Sequence, residues 1–376
     1  MALPADAGAL THRLNVIHMS PVLGRERLTS RERVLTAISL REPDRVPVAL
    51  SFYPTTLPQT RGDADEQLGT DVRFLEFDPP REQDEFLRYL EHLPAHITVG
   101  DLRTLRTYFE WGYHPETVGG ELLAKARTIR DVESFAFPNP LDKRRYQDLK
   151  EKVEKIQSRE LAAAASPPHL GGEIFETAQR LRGFEQLMVD FFRNAELVDY
   201  LFDQLANIAS QSAAILAKAG VDIVCLDDDV GEPARMMISP DLWRRFLKGR
   251  LAQIIRTART INPAVRILYH SDGYIDPILG DLIEIGVNVI NPVQPDVMDP
   301  TRLKEKYGDK LAFWGTVGTA SVWAYGSPSA IELEVKERIE TVGRGGGLVI
   351  APAYDLEPQV KWENVLAFVK AARKYA

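Results

Sequence analysis

Residues 266–292, RILYHSDGYIDPILGDLIEIGVNVINP, hold a strand, a helix and a second strand in one short run. Ile267, Leu268 and Tyr269 are too few for a helix and have the β-branched and aromatic content of a buried strand. The run breaks at His270-Ser271-Asp272-Gly273, which sets three polar side chains and a glycine at the strand's carboxyl end. Asp276 as N-cap and Pro277 at the first helical position open a helix with an apolar stripe of Ile278, Leu279, Leu282 and Ile283. Gly286 stops it, and Val287 to Ile290 form a second strand ending in Asn291-Pro292. This is a βαβ unit whose polar residues gather where parallel strands end. His270 and Asp272, two apart in an extended segment, share a face and can reach one metal ion or one substrate. The plainer alternatives are a hydrogen-bonded core histidine and an aspartate that caps a turn.

Working outward, the same unit recurs. Apolar strands are expected at 46–50, 161–165, 221–226, 267–269, 287–290, 310–313 and 348–350, nearly all followed by helices. Ser239-Pro240 and Ser327-Pro328 each open a helix by the cap-then-proline device, and Gly220 and Gly343 each close one. Continuous apolar strands belong to a sheet covered on both faces. An unbroken strand-helix rhythm over 376 residues favours a closed (β/α)8 TIM barrel over an open sheet. The expected organisation is an arm at 1–28 and one barrel domain at 29–376. Within it, 55–141 is an insertion after the first strand, either a lid over a site or a packing layer.

Composition narrows the partners. A hydrophobic share of 44% and a charged share of 27% are those of an ordinary globular protein. A net charge of -8 without any long Lys/Arg block argues against nucleic acid and anionic membrane, and leaves a cation or a neutral molecule. The single cysteine, Cys225, allows neither a disulfide framework nor a thiolate zinc cluster within one chain. No apolar run has the length of a membrane span and the start does not resemble a secretion signal, so the expectation is cytoplasmic. The glycine run 343–347 follows a helix and precedes a strand, the wrong end of a barrel for phosphate.

In such a barrel chemistry sits at the carboxyl ends of the strands. Those ends carry Tyr53, then His169 and Glu173, then Asp227, Asp228 and Asp229, then His270 and Asp272. Asn291 and Gln294, Trp314 and Thr316, and Tyr354 and Asp355 follow. One constellation is a divalent ion held by His270 and Asp272 with Glu173 or an aspartate of the 227–229 run, one position being open. Another is metal-free, with a carboxylate among crowded acids kept protonated as a general acid. Three successive acids also occur as plain solvated loop.

Several segments together resemble the uroporphyrinogen decarboxylase superfamily. They are Arg31-Glu32-Arg33-Val34-Leu35, Pro43-Asp44-Arg45-Val46-Pro47, Gly172-Glu173-Ile174-Phe175-Glu176, His270-Ser271-Asp272-Gly273, Asn291-Pro292-Val293-Gln294-Pro295 and Gly346-Gly347-Leu348-Val349-Ile350. The resemblance runs from about residue 30 to the end and implies the TIM barrel. It also implies one of two activities. The decarboxylases carry an arginine-rich loop after the first strand, where residues 51–60 here hold no arginine, and a histidine near the last strand, where Tyr354 stands. The zinc methyltransferases, which move methyl groups between corrinoid and a thiol, use a His-x-Cys pair and a later Cys, at positions matching His270, Asp272 and Tyr354. Oxygen donors in place of thiolates make a harder site.

The expectation is thus a metal-assisted methyltransferase or demethylase for a small methylated substrate, with zinc as the metal and corrinoid as methyl partner. A corrinoid protein and a second copy of the chain are possible partners. The alternatives are a decarboxylase-type lyase and a binding protein without catalysis. Asp227, Asp228 and Tyr354 are the candidate catalytic residues, and Tyr53, Gln294 and Trp314 the substrate-binding ones. His270, Asp272 and Glu173 are the candidate metal ligands. The alternative for Tyr354 is a ring packed near Trp111 and Trp314.

Overall fold

The computed structural model describes residues 27–50, 64–75, 77–78, 111, 122–318, 322–323, 325–353 and 360–375. Most of the expected arm and of the 55–141 segment therefore lies outside the described residues, as do Tyr53 and Tyr354. Seven parallel strands pair in chain order: β1 (Val72–Leu75), β2 (Ala162–Ala165), β3 (Ile223–Asp227), β4 (Arg266–His270), β5 (Val289–Asn291), β6 (Ala312–Trp314) and β7 (Leu348–Val349). The segment 47–50 fills the gap between β7 and β1. Ala49 N donates to Ile350 O at 3.0 Å, Ile350 N to Pro47 O at 2.9 Å, and Asp71 N to Val48 O at 2.8 Å. The result is a TIM-barrel-like α/β fold with helices outside, as the strand-helix rhythm implies. No helix among the described residues is long and apolar enough to cross a membrane.

One strand was not legible. β1 lies inside the stretch read as an insertion, and its four residues, VRFL, include an arginine. Arg73 is buried and spends its guanidinium on the Thr70 and Val72 carbonyls and the Thr70 hydroxyl, which lets the strand keep a charge inside. Elsewhere the caps agree with the sequence. Ser239 and Ser327 accept from Leu242 N and Ala330 N, and Gly286 ends its helix at φ 102°. Asp276 is the first helical residue rather than the cap, a shift of one position.

Alternation along each strand sorts the side chains into two cores. The outer one fills the space between barrel and helices. The inner one holds Ala162, Ala164, Ile223, Cys225, Leu268, Val289, Ala312 and Val349, and is closed below by Val34 and Ile38 of the helix Ser30–Ile38. Burying each of those two side chains is worth about 1.5–3 kcal/mol. The ion pairs of Arg33 with Asp44 and Asp71 beside them are largely buried rather than exposed, so apolar contact and buried charge pairing together hold the plug in place. Moving two residues up the strands from Cys225, Leu268, Val289 and Ala312 gives Asp227, His270, Asn291 and Trp314 at the upper mouth. The small side chains of β2 leave room beneath them.

Candidate active site

β3 and β4 pair so that Asp227 and His270 are direct neighbours at their carboxyl ends. Asp229, two residues beyond Asp227, returns to the same side. One Asp229 oxygen lies 3.8 Å from His270 Nε2, and Asp229 Oδ1 also accepts the Asp272 N–H at 2.6 Å. Asp228 falls between them and turns away. Its two carboxylate oxygens accept from Phe175 N and Glu176 N, both at 2.9 Å, which places them at the N-terminus of the helix Phe175–Arg182. Gly172 makes this approach possible, because a Cβ there would lie 2.6 Å from Asp228 Oδ1. Expected as a catalytic acid, Asp228 holds a helix against the barrel.

Two side-chain amides orient the rest. Asn291 Nδ2 donates to the Trp314 carbonyl at 3.1 Å, which leaves its Oδ1 to accept from His270 Nδ1 at 2.6 Å. That contact assigns the ring proton to Nδ1 and points Nε2 at the carboxylates. Gln294 donates to Asp272 Oδ1 at 2.9 Å and accepts from Gly273 N at 2.8 Å, bracketing the loop after β4. Gln294, expected to bind substrate, has both groups of its amide on this loop. Glu173 is buried behind β3, with one oxygen on the Asp227 backbone N–H and the other, Oε1, without a hydrogen-bond partner.

The electrostatics follow from burial and crowding. Burial, then Asp227, pushes the Glu173 carboxyl well above the usual range. Burial does the same to Asp227 against the pull of His270, and Asp229, Glu176 and Asp228 add to it. Burial raises Glu176 to about 7 and Asp228 to about 8. For His270 burial acts downward, but Asp227, Asp229, Asp272 and the Asn291 hydrogen bond outweigh it and lift the imidazole to about 9. A ring of carboxylates thus surrounds one histidine, and a bound cation would relieve it.

Asp227, Asp229 and His270 each offer a ligand atom, and those atoms lie within 4.8 Å of one another. Asp227 Oδ1 is buried and has no hydrogen-bond partner, so it is an acceptor awaiting something positive. Carboxylate oxygen and imidazole nitrogen are donors that zinc and harder divalent ions accept. The residues fit such an ion. Of the expected ligands the structure brings His270 to this point. Asp272 and Glu173 stand beside it with hydrogen bonds to the Gln294 amide and the Asp227 N–H. Asp229, one of the aspartates of the 227–229 run offered as a ligand, joins His270 there, and the period-two rule that paired His270 with Asp272 also pairs it with Asp227.

The cluster opens on a cavity of about 200 Å³. Asp227, His270 and Asn291 line it from β3 to β5, and Trp314, Leu50 and Phe74 from the other arc of the barrel. Trp314 thus stands where a substrate-binding residue was expected, its ring edge-on to that of Phe74 at 6.0 Å.

The family model for uroporphyrinogen decarboxylase (URO-D) matches residues 110–375. Two curated relatives named uroporphyrinogen decarboxylase, from Pseudomonas fluorescens strains Pf0-1 and Pf-5, are 23% and 22% identical over 292 residues, 75% of this chain and 79% of each relative. A solved methyltransferase from Methanosarcina mazei shares the fold, with a TM-score of 0.66 at 21% identity over 93% of this chain and 99% of that one. Sequence and barrel agree: the chain belongs to the uroporphyrinogen decarboxylase family.

Proposed function

We propose that this URO-D-family protein is a metal-assisted methyltransferase or demethylase acting on a small methylated substrate, with a corrinoid as its methyl partner. The observation that carries the reading is the Asp227, Asp229 and His270 cluster at the upper mouth, beside a cavity sized for a small molecule. A divalent ion held there, zinc being compatible with the donors, would act as a Lewis acid toward a substrate oxygen. Asn291 keeps the His270 ring turned so that Nε2 faces the cluster. Asp272 and Gln294 fix the loop that donates to Asp229. Leu50 and Trp314 keep water from the far side of the cavity. Tyr354 and Tyr53, outside the described residues, belong to the proposal as sequence expectations: Tyr354 as a weak ligand or a donor to substrate oxygen, and Tyr53 as a substrate-binding residue. The corrinoid would reach this mouth on a partner protein.

The test is methyl transfer to cob(I)alamin, followed by its change in visible absorbance, with metal-replete protein and a panel of O-, N- and S-methyl donors. Transfer from at least one donor that disappears in His270→Ala supports the reading. A metal-replete enzyme that methylates no corrinoid from any of them refutes it.

A second reading, decarboxylation, draws support from Glu173 and Asp227, whose carboxyls burial pushes well above the usual range, a shift that favours the form able to return a proton to carbon. Uroporphyrinogen itself suits the mouth poorly. A substrate with many carboxylates needs cations, and Asp227, Asp229 and Asp272 would repel it. Release of CO2 from a carboxylated substrate by metal-free protein would put this reading first.

A further inference from the structure

The helix Phe184–Arg193 is apolar on both of its faces. Leu187 and Phe191 are buried in the outer core, where the Phe191 ring meets those of Phe202 and Phe246. On the other face Phe184 is 41% exposed, Val189 46% and Phe192 77%. Phe184, Met188 and Phe192 are four apart and form one ridge. A helix with apolar residues on both faces normally has something packed on each. The exposed part of this ridge is roughly 200–350 Å², against about 800 Å² per partner in a stable interface between separate proteins. A second copy meeting on the ridge alone falls short of that. A segment of the same chain needs less area, because its tether supplies an effective concentration in the millimolar range.

Residues 1–26, outside the described residues, are such a segment. Within them Leu10, Leu14 and Ile17 stand at i, i+4 and i+7, the spacing of an apolar helical stripe, and Pro21 follows as a stop. The point where the arm starts is fixed. Arg31 N donates to Glu160 O at 2.8 Å and its guanidinium to Asp222, while Gln157 joins Asp222 to Gly220, the cap of the helix Ala195–Ala219. The arm therefore leaves the barrel beside the lower end of that helix. The helix Phe184–Arg193 meets its upper end through Asn194 alone. The 25 residues between are about 37 Å long, and the stretch from Ile17 to Leu28 spans about 36–40 Å when extended. Charge agrees with reach. Residues 7–25 hold Arg13, Arg25, His12 and His18 and no acid. Glu185 and Glu196 are exposed at the two ends of the ridge, and Arg193 between them leaves its rim net negative.

We propose that residues 10–17 pack as a helix on the ridge of Phe184, Met188 and Phe192, so that the arm runs along the outside of the barrel from its lower end to its upper rim. Leu10, Leu14 and Ile17 cover the exposed rings, and Arg13, beside that stripe, meets the acidic rim. The arm is then a strap that ties the plug helix Ser30–Ile38 to the helices flanking the mouth. It stands independently of the reaction the site performs.

The experiment is amide hydrogen exchange read by mass spectrometry on the full chain, at two protein concentrations. Amides of residues 10–17 should exchange at least about ten-fold more slowly than in a free peptide of the same sequence, and equally at both concentrations. Phe192→Asp should return them to the free rate, whereas Phe192→Leu, which keeps an apolar side chain, should preserve the protection. Leu14→Asp should release the arm in the same way. Unchanged protection of β4 and β5 in every variant checks that the barrel is folded. Free exchange of residues 10–17 in the unmodified chain, or protection that survives Phe192→Asp, overturns the proposal. So does protection that grows with protein concentration, since the occupant of the ridge would then be a second copy.

Discussion

The two ends of the barrel use the same kinds of residue to opposite effect. At the lower end Asp71, fully buried, accepts from Arg33, Arg45, Ser30 and the Val48 N–H. Asp222 accepts from Arg31, Gln157 and the Ala163 N–H. Every carboxylate oxygen there has a partner, and guanidinium balances the charge. At the upper end Glu173 is as deeply placed and Asp227 is half-buried, yet Asp227 Oδ1 and Glu173 Oε1 have no hydrogen-bond partner, and a histidine is the cation beside them. A buried acid without a partner costs stability. The lower end is finished for folding, whereas the upper end is left short of positive charge, which is what a cation-binding site requires before its ion arrives.

The largest effect should come from breaking the lower end. Asp71→Ala leaves the buried Arg33 and its neighbour Arg45 without their shared carboxylate, and should destabilise the protein by about 3–5 kcal/mol in urea unfolding. A loss under about 1 kcal/mol would mean that the network is no better paired than a surface bridge. Asp227→Asn should do the reverse. It removes a buried carboxyl that ionises at a cost, so the metal-free protein should gain about 1–2 kcal/mol at neutral pH while losing its ion. If Asp227→Asn is as damaging as Asp71→Ala, the contrast between the ends fails.

The pH dependence sharpens the same point. His270 has a folded value of about 9 above an ordinary 6.5, so its stabilisation is complete below 6.5 and is lost as pH rises through 9. Asp227, held well above 3.8, binds a proton in the folded chain that the unfolded chain has already released, so it too loses stability with rising pH. Metal-free protein should therefore weaken between pH 6.5 and 9. Zinc should reverse the trend, since binding requires the imidazole to shed its proton. A metal-free stability that rises across this window would contradict the electrostatics drawn for the cluster. A smaller effect is expected for Asp228→Ala, which strands two N–H groups of a helix end at a cost of about 2 kcal/mol. Metal content should not change, and loss of metal in that variant would return Asp228 to the site.

How much of this was legible in the sequence depended on range. The βαβ unit around His270 could be read because its strand, caps and glycine stop are local signals, and the barrel followed from their repetition. β1 could not, since VRFL is short and carries an arginine, whose guanidinium turns back onto the adjoining Thr70 and Val72. His270 was found as a strand-end residue. Which aspartate of the 227–229 run faces His270 stayed open, because three aspartates in a row do not say where the strand alternation ends. It runs two residues past β3, to Asp229, and the helix at Phe175 claims the outward-facing Asp228. Gln294 and Asp272 sit where expected, but their pairing across two loops depends on the neighbouring strands and has no sequence signal of its own.

The central claim is that Asp227, Asp229 and His270 hold a divalent ion, and elemental analysis of the freshly purified protein beside His270→Ala and Asp228→Ala tests it most directly. The account predicts about one ion per chain in the unmodified protein and in Asp228→Ala, and a sharp loss in His270→Ala with the fold intact by circular dichroism. No metal in the unmodified protein after zinc, manganese or iron reconstitution, or full loading in His270→Ala, would contradict it.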